Sequence, residues 1–471
     1  MRCQLQVITA FAFFTVFLPG CVSGHRAEPA AAAKTDHSDV LYSFSVDDQN
    51  LLDEIEHACF LYFWREVGTP AQLVRDRKNA PVSSIAAVGF QLSSLPIGVE
   101  RGWITREQGR ARAATVLDAL MRAPDNKKFG VYLHYPDMNS GGLSHEGFEV
   151  LASTVDHALL MAGAITAAEY FGGNVAKLAD GMIRDTNWRA FVKSPEGFLS
   201  MGWLPEDPAN IAGPGKLIDS IWHDSSDEER LIYFLAAGAP NPDFALDPGV
   251  YYRLERQMEQ YYPDIAPFAV SWPGALFTYE FSHCWIEYGT FGQDDPARFG
   301  VEAPGIDWFE NSRRAVLTQR RRCVENPEHF KTLATDRWGF SACAGRDGYI
   351  VPELRPNRSG NDSWCEGTVA PYAAGTAIMF TPEESMAALR AFRTLRKADG
   401  KPMIWWEPTE GGYGLVDAFN LDQDWASDDY VGIDHGPMLL AIENVRTGLI
   451  WKLFMQHETV KRSLERLGLQ R

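Results

Sequence analysis

Residues 153–171 read STVDHALLMAGAITAAEYF. The stretch is apolar nearly all round, so it predicts a helix buried on every side and not one that lies on a surface. Residues 437–454, PMLLAIENVRTGLIWKLF, predict a second long and largely apolar helix. Working outward, Thr105-Arg106-Glu107-Gln108 is a capping-box pattern opening a helix through Ala113, Val116, Leu117 and Leu120. Thr381-Pro382-Glu383-Glu384 caps ESMAALRAFRTLRK, with Pro382 suited to the first helical position. Between these segments lie irregular stretches rich in Gly, Trp and Asp, such as GFLSMGWLPEDP (197–208) and EPTEGGYGLVDAFNLDQDWASDDY (407–430). Alternating strand patterns are scarce. Long helices joined by long aromatic loops predict an all-α toroid of helical hairpins with a loop-lined cleft at one end. No strict repeat fixes the number of hairpins.

The chain has 471 residues, 44 Lys+Arg against 62 Asp+Glu, and a net charge of −18. That balance, with no long basic run, argues against nucleic acid as a partner. Apolar and charged fractions of 45% and 23% are ordinary for a globular chain. The 14 Trp, 16 Tyr and 27 Phe exceed what a core needs, and rings lining a groove are one explanation. Composition is uniform from about residue 47 onward, so 47–471 reads as one domain. Residues 7–18, VITAFAFFTVFL, are too short to span a bilayer and fit a secretory signal over 1–20. Leu18-Pro19-Gly20-Cys21 resembles a bacterial lipobox that would lipidate Cys21, although Pro19 is unusual there. Residues 21–46 read as a flexible tether. The expected location is the periplasm, or the outer membrane through that anchor, and a monomer is expected. The seven cysteines show no tight pairing, which argues against both a disulfide framework and a zinc site.

Three carboxylates recur in one context, each at the expected start of an apolar helix. They are Asp156 in Ser-Thr-Val-Asp, Glu228 in the Asp-rich segment after Trp222, and Asp434 in Gly-Ile-Asp-His-Gly-Pro. Glycoside hydrolysis needs such groups, one to protonate the leaving oxygen and one to act on water or on the sugar. The competing reading is structural. Ser153-x-x-Asp156 and Ser225-x-x-Glu228 are also capping-box patterns, and acids suit helix N-termini. A helix N-terminus moreover favours the ionised form, so a general acid there needs burial, against a ring such as Trp222, to override the dipole. Asp76 and Arg77 read as a buried ion pair or a clamp on sugar hydroxyls, and Arg101 as a partner of Glu100. Tyr279, His283, Trp285 and Glu287 alternate as a sugar subsite does, and equally as a packed hairpin does. Residues 311–322 form a basic stretch that reads as a solvated helix face.

Taken together the chain resembles the bacterial glucoamylase-like family, which includes endo-β-1,2-glucanases and the transglycosylase region of cyclic β-1,2-glucan synthases. The matching stretches run in one order over roughly residues 50 to 468. They include SSIAAVGFQLSSLPIGVERGWITREQ (83–108), STVDHALLMAGAITAAEYF, EERLIYFLAAGAP (228–240), WGFSACAG (338–345) and YVGIDHGPMLLAIENVRTGLIWKLF (430–454). The resemblance implies an (α/α)6 barrel with a carbohydrate cleft at one end. It also implies hydrolysis or transfer of β-linked glucans without a metal or organic cofactor. By the same resemblance Glu228 matches the general acid, while Asp434 and Asp156 match cleft residues suited to the base or water-positioning role. Asp76, Arg77, Arg101, Trp203, Trp222, His283, Trp285, Glu287, Glu366, Tyr430 and His435 are the expected glucan contacts.

There are departures from the family pattern. Leu151 stands where many relatives have a glutamate, with Glu146 and Glu149 nearby. His-Gln-Tyr-Ser-His reads Tyr279-Glu280-Phe281-Ser282-His283, Asp-Gly-Thr reads Glu366-Gly367-Thr368, and the residues before Glu228 are Asp-rich. The expectation is an exported endo-β-1,2-glucanase that inverts the anomeric centre. Its rivals are a retaining glucosidase or transglycosylase, and a surface glycan-binding lipoprotein without catalysis.

Overall fold

The computed structural model describes residues 42–144 and 147–470. The expected signal, the Cys21 lipobox, most of the tether and Glu146 lie outside the described residues. Helices carry the chain in the order α1 (Val46–Arg65), α2 (Ile85–Glu100), α3 (Arg106–Arg122), α4 (Thr154–Phe171), α5 (Gly173–Asp185), α6 (Asp227–Ala237) and α7 (Gly249–Arg253). There follow α8 (Phe277–Glu280), α9 (Trp308–Glu325), α10 (Pro371–Thr376), α11 (Pro382–Thr394), α12 (Gly432–Thr447), α13 (Leu449–Met455) and α14 (Glu458–Leu467).

Two classes of helix follow from the sequence pattern. Helices α2, α4 and α12 are largely apolar and almost wholly buried, with α12 also burying Asp434, His435, Glu443 and Asn444. They pack side by side: α4 on α2, α2 on α12, and α12 on α10, while α4 continues onto α6 and α6 onto α8. The stretch 338–342 joins the short α8 to α10: Leu276 N–H donates to the Phe340 carbonyl, and Ala370 N–H to that of Gly339. The second class is amphipathic and packs outside the first, with α1 on α2 and α12, α3 and α5 on α2 and α4, and α14 on α6. The backbones of α2 and α4 nearly touch. A Cβ on Gly89 would lie 2.2 Å from the Leu159 carbonyl oxygen, and one on Gly163 2.0 Å from that of Gly89. Only hydrogen fits at those two positions.

The capping box at Thr105 forms with both halves present. At α11, Pro382 takes the first turn as expected, but the Thr381 hydroxyl turns back to the Ala377 carbonyl and leaves the new helix uncapped. The single helix expected over 437–454 is two, because Gly448 adopts φ 68° and separates α12 from α13. The helical expectation holds, with additions in the loops. The molecule is mostly helical, yet its loops carry short antiparallel strands of two to four residues, including a three-stranded sheet of Ala152–Ser153, Gly202–Pro205 and Gly215–Leu217. Long irregular loops must satisfy their own backbone groups, and paired fragments do this without an alternating pattern.

These pairings tie together the loops that enter the inner helices. Arg77 bridges Val431, Val82 bridges Asp137, Leu133 bridges Ala152, and Val369 bridges Phe419. The loops before α2, α4, α10 and α12 are thereby fixed at one end of the helix array. The basic stretch in α9 is only partly solvated: Arg321 pairs with Asp264 at the surface, whereas Arg322 is buried against Asp362.

Candidate active site

Three consecutive acids open α6 and meet three different fates. Ser226 is the N-cap and accepts from Glu229 N–H, so the cap lies one residue beyond the Ser225-x-x-Glu228 box that the sequence offers. Asp227 is fully buried, pairs with Arg230, and accepts from the backbone N–H groups of Ser282 and His283. Glu229 points inward, where burial and the neighbouring Asp224 and Glu228 push its pKa well up. Glu228 alone remains half-buried, free of capping duty. Its carboxyl is pushed up to about 8, first by loss of water and then by the charge of Asp156. A carboxylic acid still protonated at neutral pH can donate its proton.

Asp156 sits in the first turn of α4. The Ser153 hydroxyl donates to its carboxylate at 2.5 Å, so this serine bonds the side chain and leaves the helix backbone uncapped. His134 Nε2 lies 3.5 Å from Asp156 and its Nδ1 3.7 Å from Glu149. Burial alone would lower the His134 pKa, but Asp156, Glu149 and Asp76 more than offset it and raise it. The ring stacks on Tyr135 at 3.7 Å. Trp222 donates from Nε1 to Thr154 Oγ1 at 2.8 Å, joining the entrances of α4 and α6.

Asp434 enters from the first turn of α12 and is buried. Its carboxyl is within hydrogen-bonding reach of Asp417, which is equally buried. Burial, and then the neighbouring Asp417, raise the Asp434 pKa well above the carboxylate range. Arg77 lies beside the pair and is held by Asp76 at 3.1 Å and Asp429 at 4.0 Å. Tyr349, half exposed on the hairpin 343–350, is within electrostatic reach of Asp434, Asp417 and Glu228 together. It therefore marks the space between the α6 acid and the α12 carboxyls.

The structure thus gathers Glu228, Asp156, Asp434, Asp76, Arg77 and Trp222 at one end of the helices. Glu366 is exposed in the loop that enters α10, its carbonyl accepting from Asn420. Other expected contacts sit elsewhere. Trp203 is buried, with Lys128 over its ring at 4.4 Å, so that face is closed to a sugar. Tyr430 packs edge-on against Tyr413 and His435, and His435 is buried between Tyr430 and Tyr62 with its pKa lowered to about 4 by burial. Trp285 is fully buried and donates to Ser93 on α2, while His283 bonds Ser312; of the two readings for this segment, the packed one holds. Glu287 follows at the end where Trp451 of α13 donates to the His283 carbonyl. Arg101 is at the C-terminal end of α2, one helix length from the cleft, and it pairs with Glu443 and Glu56, not with Glu100. These corrections share one cause, since chain proximity to a motif does not set the depth of a ring or the end of a helix.

Sequence reasoning missed His134, Tyr135, Asp417, Asp429, Tyr349 and Tyr372. Of these only Tyr372 stands in a stretch that matches the family, EGTVAPYAAGT (366–376), and Asp417 is one acid among several in a loop full of them.

Comparison with known proteins gives relatives over most of the chain. An exo β-1,2-glucooligosaccharide sophorohydrolase (non-reducing end) of Parabacteroides distasonis is 28% identical over 465 residues, covering 90% of this chain; the chain spans 58% of that relative's length. The crystal structure of a "putative glucoamylase" from Bacteroides uniformis superposes with a TM-score of 0.75 at 26% identity, covering 90% of this chain and 98% of that one. An endo-β-1,2-glucanase from Chitinophaga pinensis, in complex with sophorotriose and glucose, has the same fold at 24% identity and a TM-score of 0.74, with 90% and 98% covered. The glycoamylase family model, described as "putative glucoamylase", matches residues 222–458, which include both Glu228 and Asp434. Half of the chain is thereby matched in one unbroken stretch, and the protein belongs to this glucoamylase-like family.

Proposed function

We propose that the protein is an exported, monomeric glycoside hydrolase that cleaves β-1,2-linked glucan with inversion, with Glu228 as general acid. The observation that carries the reading is the placement of the Glu228 carboxyl, half-buried at the mouth of the helices and near Asp156, where loss of water and then that charge push it up to about 8. The linkage follows the activity of the Parabacteroides distasonis relative, a β-1,2-glucooligosaccharide sophorohydrolase. Packing in the order α8, α6, α4, α2, α12 and α10, with the stretch 338–342 hydrogen-bonded to the segments that enter both α8 and α10, supports an (α/α)6 barrel. In such a ring α6 and α12 are opposite, with axes about twice the 8–10 Å of neighbouring helices apart. Glu228 and Asp434 then face each other across the mouth with room for a sugar and a water, the arrangement that inversion requires. Export and lipid anchoring rest on residues 7–21.

The relative's name favours one second reading, exo release from the non-reducing end in place of the endo cleavage expected from sequence. Incubation with linear β-1,2-glucan and a panel of other glucans tests both readings. Turnover of the β-1,2 polymer alone is expected, and a ladder of products indicates endo action where a single small product indicates exo. Binding without turnover of any glucan overturns the hydrolase reading.

A further inference from the structure

The hydrolase reading leaves a physical problem at the base. A lone carboxylate suited to taking a proton from water should be ionised and well supplied with donors, and Asp434 is neither. It is 1% exposed, and its Oδ2 is buried with no donor. Asp417, also 1% exposed, holds one oxygen on the Ala344 N–H at 2.6 Å, while its Oδ1 is likewise buried without a donor. The two carboxyls are within hydrogen-bonding reach of each other. Two acceptor-only oxygens in contact, out of water, repel unless a proton lies between them.

Resting on the hydrolase reading, we propose that Asp417 and Asp434 form one unit, a carboxyl pair sharing a single proton, and that this pair takes the proton from the attacking water. Asp434 is its reactive member and Asp417 its positioning residue. The local charges fit a monoanion. Arg77 faces the pair from the loop before α2, but it is divided among Asp76, Asp429 and the pair itself. A single shared guanidinium cannot balance two further full charges in a buried site. Tyr372 of α10 also reaches Asp434, while its hydroxyl bonds Ser341 and Ala342. Tyr349 and Cys343 approach from the hairpin, and the Asp429 carbonyl accepts from Asp417 N–H.

The step balances. As the water oxygen bonds to the anomeric carbon, the glycosidic C–O bond breaks and its electron pair stays on the leaving oxygen. That oxygen takes the proton of Glu228. The proton lost by water goes to the pair, which becomes neutral, and solvent returns the system by protonating Glu228 and deprotonating the pair.

Two measurements decide the proposal. In Asp417→Asn the shared proton is gone, so the acid limb of kcat, which reports the step from neutral to singly charged pair, should move to higher pH by about half a unit or more, with KM changed less than about twofold. A structural role alone would lower Tm and leave that limb in place, and an unmoved limb overturns the proposal. The second measurement needs neither activity nor a folded variant at position 417. In wild-type protein carrying ¹³C-carboxyl aspartate, two carboxyls should titrate as a coupled pair, the upper step well above the ordinary aspartate range. Both steps should be altered together in Asp434→Asn. Two independent single steps overturn the pair. If no glucan is turned over, the hydrolase reading fails, and the titration still decides whether the pair exists.

Discussion

Buried carboxylates occur at both ends of the inner helices, and the two ends treat them in opposite ways. At the C-terminal end of α2 and α12, Glu56 and Glu443 are buried but face Arg101 and Arg446, which also reach Asp53 at the surface. Burial and Glu443 push the Glu56 pKa well up, and the two arginines offset only part of that rise. At the N-terminal end, Glu228, Asp434 and Asp417 are withdrawn from water beside other acids, with only the divided Arg77 in reach of the aspartates. One end uses acids to tie α1, α2 and α12 together. The other holds them out of balance, so that protons can be given and taken. Carboxyls paired with arginine mark the architecture here, and carboxyls gathered beside other acids mark the chemistry.

The difference can be broken most severely at Glu228. Glu228→Gln removes the transferable proton and should lower kcat by about 10²–10⁴-fold while glucan binding persists, as read by turnover and calorimetric titration. The opposite end should respond in stability alone. Arg446→Met leaves Glu56 buried beside Glu443 with one cation fewer, and should cost about 3–5 kcal/mol in urea unfolding with the pH profile of kcat unchanged.

Smaller effects sharpen the comparison. Since the acid must be protonated, kcat/KM should fall as pH rises through about 8. In Asp156→Asn a negative neighbour is lost, the Glu228 pKa drops, and this alkaline limb should move to lower pH. The same shift affects folding. The folded-state pKa of Glu228, about 8, lies above its ordinary 4.5, so the folded chain binds the extra proton and loses stability as pH rises through that window. Glu228→Gln should therefore be more stable than wild type at pH 8, by roughly 1–3 kcal/mol, and nearly equal to it at pH 4.

The sequence carries the helices well because their signals are local. The run at 153–171 and the box at Thr105 each form at the expected place. Signals that depend on depth or on distant partners are another matter. Trp203 and Tyr430 share their loops with the acids, yet their rings are covered by Lys128 and by Tyr413 with His435, contacts made across the fold. Arg101 follows a helix whose other end faces the cleft, and nothing local distinguishes the two ends. Among the acids, Glu228 is set apart from Asp227 and Glu229 by rotation around one helix turn. Its capping competitor disappears because Ser226, not Ser225, is the cap. Asp417 was illegible because its importance lies in touching Asp434, and no spacing in the chain encodes that contact.

The most direct test is to follow the first anomer released from linear β-1,2-glucan by NMR, in parallel for wild type and Glu228→Gln. The account predicts α-anomer appearing first from the wild type, the inverted product, and loss of that signal in the variant. A β-anomer formed first contradicts inversion across the mouth, and undiminished product from Glu228→Gln contradicts Glu228 as the acid.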